Sequence, residues 1–352
     1  MARLVLLLLS LVLCASIGHA QNDPKPKPTV FPGYPFDAEA DADNLHEAMN
    51  SQQQSNPLAI ESILSRRSLQ QRLTIAEKYK LSYGKNLESD ITKYAESCLT
   101  CFSFGRMGEL MFSPLPVQYS HHLSKAMVGP GTTESVLTEI LCGNKNNMIR
   151  NITQAYAERY DGKSLLADLE GETSGDLKSL LVLLMQANRT GPHLVNAQAV
   201  KDDVLALYNN GEINWREDSS RLNEVLARRS VQHIRWVLQG LSRKTGKNIK
   251  ENVDEQFYFG NKKGYLACVR MIQEPEEYFA DVLNDAINGL GTSEDALIRV
   301  ILTRSEIDLG TISEKYEQKY GRSVIDDIKG DTGGFYKNML LAFFGEDANG
   351  RN

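Results

Sequence analysis

Residues 312–328, ISEKYEQKYGRSVIDDI, place a glycine between two helix-patterned segments, and this arrangement recurs along the chain. Two close copies and one divergent copy share the pattern: IAEKYKLSYGKNLESDI at 75–91, ITQAYAERYDGKSLLADL at 152–169 and VLQGLSRKTGKNIKENV at 237–253. The corresponding glycines, Gly84, Gly162, Gly246 and Gly321, are separated by 78, 84 and 75 residues. A period of that length accommodates several helices. The sequence therefore predicts four related units.

Each unit carries the signature of amphipathic helices. In segments such as 135–144 (SVLTEILCGN) and 296–305 (ALIRVILTRS), apolar residues recur at i, i+3, i+4 and i+7, the spacing that places them on one helix face. The repeated glycine fits a helix C-terminus, because glycine adopts the left-handed conformation there at little cost. No alternating β-branched run indicates a sheet. The predicted fold class is all-α.

The first 34 residues contain two segments, which together predict a secreted protein with an extended N-terminal arm. Arg3 precedes an almost unbroken apolar run at 4–14, and Gly18-His19-Ala20 supplies small residues for cleavage. The run is too short to span a bilayer, so residues 1–20 are interpreted as a cleaved signal peptide. Residues 21–34 are rich in proline and have no helical period, which predicts an extended arm.

The charge of the chain limits its partners. The formal net charge is −6, and a mildly acidic protein is not expected to bind nucleic acid or an anionic membrane by charge alone. Attachment to a phosphate-rich surface would therefore need a bridging cation.

Four cysteines remain after residue 20: Cys98, Cys101, Cys142 and Cys268. Cys98 and Cys101 form a C-x-x-C, but no second pair or nearby histidines complete a zinc site, and we interpret them as buried helix residues. The sequence leaves open whether Cys142 and Cys268 form a disulfide. Glycosylation sequons begin at Asn151 and Asn188 and are usable only if exposed.

A glycine loop with a distant acid occurs twice. Residues 288–295, NGLGTSED, suit a phosphate cradle, a metal loop or a tight turn when taken alone. Thirty-eight residues separate Thr292 from Asp331. In the second unit, thirty-nine residues separate Thr132, in VGPGTTES, from Glu172. This repetition at similar spacing favours one shared site over two unrelated turns.

The chemistry of this pairing favours a hard cation. Glycines let the loop turn so that several carbonyls face one point, and carbonyl oxygens with one carboxylate form a calcium-type ligand set. A phosphate cradle presents N–H groups and usually a lysine. Here Glu294 and Asp295 follow the glycines and would repel phosphate.

On these residues the chain resembles the annexin family. The family pattern G-x-G-T, thirty-eight residues and an acid is intact at Gly289–Thr292 and Asp331. The R-x-x-x-[DEQNH] element stands at Arg304–Asp308, and 36–49 (FDAEADADNLHEAM) resembles the start of an annexin core. The resemblance implies about five helices per repeat in one curved, disc-like core. The implied repeats 1 to 4 span 35–113, 114–190, 191–274 and 275–346, before a tail at 347–352.

The resemblance further implies calcium-dependent, peripheral binding to acidic phospholipids such as phosphatidylserine, and no binding to nucleic acid. The implied calcium ligands in repeat 2 are the carbonyls of Met127, Gly129 and Gly131 with the Glu172 carboxylate. Those in repeat 4 are the carbonyls of Ile287, Gly289 and Gly291 with the Asp331 carboxylate.

Repeats 1 and 3 depart from the family pattern. Repeat 1 has Gln52–Ser55 in place of the glycine loop and Tyr94 at the distal position. Repeat 3 has Arg216 where the family has glycine and Gln256 at the distal position. We expect neither loop to bind calcium in the family's manner. Trp215 and Arg216 are instead candidate membrane contacts, since aromatic rings suit the bilayer interface.

The sequence bears on two alternatives to lipid binding. Catalysis is not expected, because the histidines are scattered and neither G-x-S-x-G nor H-E-x-x-H occurs. A secreted protein that uses the same scaffold to bind protein partners remains open, because two of four loops have departed from the pattern. Vesicle binding in the presence of calcium distinguishes it from the lipid-binding function.

Overall fold

A computed structural model describes residues 25–50, 56–97, 104–129, 131–191, 195–209, 211–289 and 291–346. Within these residues the chain forms twenty α-helices and no extended strand, which confirms the all-α prediction. The predicted signal peptide, the loop of repeat 1, the C-x-x-C cysteines and the tail lie outside the described residues.

The helices occur in four groups of five. The first two groups comprise α1 Ala38–Asn50, α2 Pro57–Ser65, α3 Leu69–Tyr83, α4 Leu87–Ser97, α5 Phe104–Met111, α6 Leu115–Met127, α7 Glu134–Gly143, α8 Asn146–Arg159, α9 Leu165–Glu172 and α10 Gly175–Met185. The last two comprise α11 Ala197–Leu207, α12 Ser220–Arg228, α13 Val231–Thr245, α14 Ile249–Gln256, α15 Phe259–Gln273, α16 Pro275–Asn288, α17 Glu294–Arg304, α18 Leu309–Tyr320, α19 Val324–Asp331 and α20 Gly334–Phe343.

In repeats 1, 3 and 4 the repeated glycine ends the third helix of the group, as its spacing predicts, whereas in repeat 2 the helix ends at Arg159, before Gly162. Gly84 and Gly321 adopt φ values of +64° and +68° and donate their N–H groups to Lys80 and Glu317 carbonyls one turn earlier. Glycine adopts this left-handed conformation without the clash that a Cβ would cause. The chain therefore turns sharply before the fourth helix of the repeat.

Two hydrophobic cores pair the repeats. Buried residues of repeats 1 and 4, among them Leu45, Ile60 and Met339, form one cluster. Buried residues of repeats 2 and 3, among them Leu180 and Val237, form the second. Repeat 1 therefore packs with the repeat farthest from it in sequence, and this pairing brings the four repeats into one body.

A buried ion pair links the two halves. Arg299 of α17 donates to both carboxylate oxygens of Glu139 on α7, over 2.9 Å from Nε and 3.2 Å from the second nitrogen. The Tyr278 hydroxyl donates to the same carboxylate over 3.1 Å. Burial alone would lower the pKa of Arg299, but the Glu139 carboxylate raises it above its ordinary value. The Arg299 guanidinium is therefore charged in the folded protein.

The N-terminal arm crosses from repeat 4 to repeat 1. The Lys27 N–H donates to Thr311 Oγ1, and the Gly310 N–H donates to the Lys27 carbonyl, each over 2.8 Å. Farther along, Gly33 exchanges two 2.9 Å hydrogen bonds with the side chain of Gln71. The described part of the arm is thus an ordered strap across the repeats 1 and 4.

Cys142 on α7 and Cys268 on α15 form a disulfide between repeats 2 and 3. Their Cα atoms are 5.6 Å apart although 126 positions separate them in sequence, and both side chains are buried. The pairing that the sequence left open is therefore present in the structure.

Replacing both Cys142 and Cys268 with serine is expected to lower the free energy of unfolding by about 2–4 kcal/mol, because the crosslink closes a long loop in the unfolded chain. Urea unfolding of the double variant checks this. Wild type treated with reductant should shift similarly, and an unchanged midpoint in both samples would contradict the expectation.

Among the residues that the structure describes, no helix combines the length and apolar character needed to cross a bilayer.

Candidate functional site

The loop of repeat 4 meets its distant acid. Helix α16 ends at Asn288 and α17 begins at Glu294. The Thr292 hydroxyl donates to Asp331 Oδ2 over 2.7 Å, and Asp331 is the last residue of α19. The structure therefore brings together the loop and the acid that the sequence paired by spacing.

The loop of repeat 2 is built alike. The Thr133 N–H donates to the Ala126 carbonyl over 2.8 Å, as the Ser293 N–H does to Ala286 in repeat 4. The Thr132 hydroxyl donates to the backbone carbonyl of Glu172 over 3.0 Å. The repeat 2 threonine thus contacts the backbone of the distal residue, whereas the repeat 4 threonine contacts the carboxylate itself.

The extra residue of repeat 2 lies away from this loop. Helix α8 ends at Arg159 and α9 begins at Leu165, and between them Asp161 and Gly162 both adopt positive φ. The additional residue is accommodated in this turn. Glu172, at the C-terminus of α9, therefore still lies next to the repeat 2 loop.

The donor set of these loops suits a hard cation. Gly129, Gly131 and Gly291 adopt φ values of +108°, +100° and +83°, and a Cβ built on any of them meets no atom within 4 Å. Among the described residues, no hydrogen bond reaches the carbonyl oxygens of the six predicted backbone ligands. Carbonyl oxygens beside one carboxylate are ligands that calcium accepts.

The described residues contain no group of three or more His, Cys, Asp or Glu side chains placed to hold a metal. A site here would therefore rely on backbone oxygens and one carboxylate, as the sequence predicts for repeats 2 and 4.

The electrostatic surroundings of the repeat 4 loop are acidic. Burial raises the pKa of Tyr336, and the nearby carboxylates of Glu294, Asp295 and Asp331 raise it further, while Arg106 offsets part of this rise. Negative charge that disfavours a phenolate would also attract a cation. The negative electrostatic field at the repeat 4 loop therefore favours a cation, as its oxygen donors do.

In repeat 3 a guanidinium lies at the corresponding place. The Arg216 N–H donates to Gln256 Oε1 over 3.2 Å, and the Arg216 guanidinium donates to the Glu255 carbonyl. A fixed positive charge beside a neutral distal residue opposes a divalent ion. That the repeat 3 loop does not bind calcium remains a prediction, and the positive charge of Arg216 is its physical reason.

Trp215 packs inside the repeat 3 loop instead of facing outward. Its side chain is 2% exposed, and its ring lies 6.3 Å from the ring of Phe257, centroid to centroid. This placement departs from the outward-facing ring that a membrane contact requires. Membrane contact by Trp215 remains a prediction, and it requires the indole ring to move away from Phe257. Arg216, in contrast, is already exposed.

The loop of repeat 1 (51–55) lies outside the described residues. Its predicted distal residue, Tyr94, is buried and meets Phe335 edge-on, with ring centroids 6.5 Å apart. The side chain at this position is thus part of the core shared with repeat 4.

Two positioning residues were not anticipated as such. The sequence pattern assigns no role to Thr132 and Thr292, yet their hydroxyls make the contacts that join each loop to its distal residue. The available signal was their shared place directly after Gly-x-Gly, where a short hydroxyl side chain reaches neighbouring backbone and carboxylate groups.

Comparisons with known proteins agree with this architecture. A family model described as Annexin matches residues 40–97, 118–184 and 278–343. Human annexin A13 is 39% identical over 308 residues, which cover 87% of this chain and 95% of that protein. Chicken annexin V superposes with a TM-score of 0.79 at 35% identity, covering 91% of this chain and 99% of that one.

A calcium-bound structure is also similar. Calcium-bound annexin (Sm)1 superposes with a TM-score of 0.81 at 29% identity, covering 92% of this chain and 94% of that one. The family match spans more than half of this sequence, and the relatives extend over nearly all of the described core. The chain therefore belongs to the annexin family.

Proposed function

We propose that this protein binds acidic phospholipid surfaces peripherally through calcium ions held in the loops of repeats 2 and 4. The observation that carries the proposal is the contact between Thr292 and Asp331, which joins a glycine loop to a carboxylate 39 positions away. Calcium is the proposed ion because its ligand preference matches the loop oxygens, and because the similar annexin (Sm)1 structure is calcium-bound.

The lipid would complete the coordination shell. Three carbonyls and one carboxylate leave a calcium ion short of its six to eight oxygen ligands, and a lipid phosphate or serine carboxylate supplies further oxygens. The ion thereby bridges a protein of net charge −6 and an anionic surface. The proposed ligands in repeat 2 are Met127, Gly129, Gly131 and Glu172, and those in repeat 4 are Ile287, Gly289, Gly291 and Asp331.

We further propose that the protein acts outside the cell. The Cys142–Cys268 disulfide supports this, because disulfides persist mainly in oxidising compartments. Both sequon residues, Asn151 and Asn188, are exposed as glycosylation requires. The apolar run at 4–14 has the form of a secretory signal.

Wild-type protein is expected to sediment with phosphatidylserine vesicles in millimolar calcium and to stay in the supernatant with chelator. With two loops of this donor set, half-maximal binding is expected near 10⁻⁴ to 10⁻³ M calcium, roughly the range of extracellular calcium modules. Phosphatidylcholine vesicles, which carry no net charge, serve as the control.

Sedimentation that is equal with calcium and with chelator, or absent at millimolar calcium, would overturn the proposal. The second outcome would favour the alternative in which the scaffold acts mainly on protein partners.

A further inference from the structure

Repeat 3 exposes two aromatic side chains directly after its distal position. In repeats 2 and 4 the distal acid is followed by small residues, at 173–175 (TSG) and 332–334 (TGG). In repeat 3 the corresponding residues are 257–259 (FYF). Phe257 is buried beside Trp215, but Tyr258 is 54% and Phe259 is 91% exposed.

Phe259 occupies a backbone conformation that suits glycine. Its φ is +47°, close to the +59° of Gly175 and the +62° of Gly334 at the matching positions. A bulky residue in this region is an outlier that costs on the order of 1–2 kcal/mol. Its exposed ring recovers little of that cost by burial, so the folded state alone does not account for phenylalanine here.

The aromatic pair lies beside the calcium loop proposed for repeat 2. A Cβ built on Gly260 would come within 2.0 Å of Glu134 Oε1, and Glu134 begins α7 directly after that loop. A Cβ built on Gly175 would lie 3.8 Å from the side-chain nitrogen of Asn261, and Gly175 follows Glu172 by three residues. The segment that carries the exposed rings therefore lies beside the repeat 2 loop.

A cation accompanies the rings. The guanidinium carbon of Arg216 lies 4.7 Å from the ring centroid of Tyr258. The Arg216 side chain is exposed while it donates to the Glu255 carbonyl. Aromatic rings with an adjacent arginine match the head-group region of a bilayer, where rings meet the acyl boundary and the guanidinium meets phosphate.

We propose that Tyr258, Phe259 and Arg216 form a direct bilayer contact that uses no calcium ion of its own. The rings enter the interface between head groups and acyl chains, and Arg216 pairs with lipid phosphate. This contact rests on the proposed function, because the ions of repeats 2 and 4 bring this face to the membrane. Repeat 3 would thereby contribute to attachment despite Arg216 and Gln256 in its loop.

Phe259→Gly tests the contact and separates it from folding. The variant restores the residue type found at Gly175 and Gly334, so its melting temperature should equal or exceed that of wild type. Its affinity for mixed phosphatidylserine–phosphatidylcholine vesicles at saturating calcium should fall about tenfold, since it loses most of one interfacial aromatic side chain. Leu81→Ala removes apolar surface from another exposed side chain, 80% exposed on α3, and should leave the affinity unchanged.

Phe259→Trp reports insertion directly. In vesicles that contain doxyl-labelled phosphatidylcholine, this variant should show calcium-dependent quenching beyond that of wild type, whose own tryptophans are Trp215 and Trp236. The inference would be overturned if Phe259→Gly bound vesicles with the affinity of wild type, or if vesicle-bound Phe259→Trp showed no added quenching. In either case calcium-dependent binding of the wild type would still support the proposed function. If wild type itself does not bind with calcium, the proposed function fails first and this contact fails with it.

Discussion

Changing Glu172 and Asp331 together to alanine is expected to abolish calcium-dependent sedimentation with phosphatidylserine vesicles. Each change removes the only side-chain ligand proposed for its loop and leaves neutral carbonyls to hold a divalent cation. Loss of a mere outer-shell partner costs about 10- to 100-fold in metal affinity, so loss of the ligand should raise the calcium requirement by roughly a hundredfold or more at each site. Sedimentation across a calcium titration measures the shift.

A matched control exists on the same two helices. Glu170 on α9 and Asp326 on α19 are exposed carboxylates, and changing both to alanine alters the net charge by the same amount. This control should keep the wild-type calcium titration. If the Glu172/Asp331 variant also keeps it, while both variants melt like wild type, the ligand assignment is wrong.

The single variants rank the two loops. In repeat 4 the loop hydroxyl meets the Asp331 carboxylate, whereas in repeat 2 it meets the Glu172 backbone. The Thr292 hydroxyl thus holds the Asp331 carboxylate at the loop. We expect Asp331→Ala to cost more of the calcium-dependent binding than Glu172→Ala.

Changing Glu139 to alanine is expected to lower the free energy of unfolding by about 3–5 kcal/mol, the cost typical of breaking a buried ion pair on one side. The change leaves Arg299 buried without its carboxylate and deprives the Tyr278 hydroxyl of its acceptor. Chemical denaturation, followed by circular dichroism, measures the loss.

A compensated variant distinguishes a lost partner from lost packing. Replacing Glu139 by leucine, Arg299 by methionine and Tyr278 by phenylalanine removes every member of the buried network together. Because buried pairs exchanged for apolar residues of similar volume are often nearly neutral, this variant should be more stable than Glu139→Ala. If it is less stable, or if Glu139→Ala costs under about 1 kcal/mol, then the ion pair does not hold the two halves as argued.

The sequence was sufficient where the information is periodic. The 3.6-residue apolar spacing and the recurring glycine predicted helices and their stops, and the structure has them at Gly84, Gly246 and Gly321. The spacing from Thr292 to Asp331 also predicted a proximity that the structure shows. The apolar periodicity and the loop-to-acid spacing can both be recognised in a single sequence because the chain repeats them at corresponding positions.

The sequence was insufficient where a contact depends on a single distant partner. Whether Trp215 is exposed depends on Phe257, 42 positions later, which no periodic pattern indicates. The Cys142–Cys268 disulfide needs α7 beside α15, a pairing of helices that only the assembled core supplies. The sequence pattern does not single out Phe259, because the family motif ends at the distal position, which is Gln256 in repeat 3.

The pairing of repeats in two cores sets an order of assembly on the ribosome. The core of repeats 2 and 3 draws on residues 119–272, a continuous stretch that is complete once α15 has been synthesised. The core of repeats 1 and 4 draws on residues at both ends of the chain, from Val30 to Phe343. The helices of repeat 1, which are synthesised first, therefore keep their apolar faces exposed to solvent or a chaperone until the helices of repeat 4 have been synthesised.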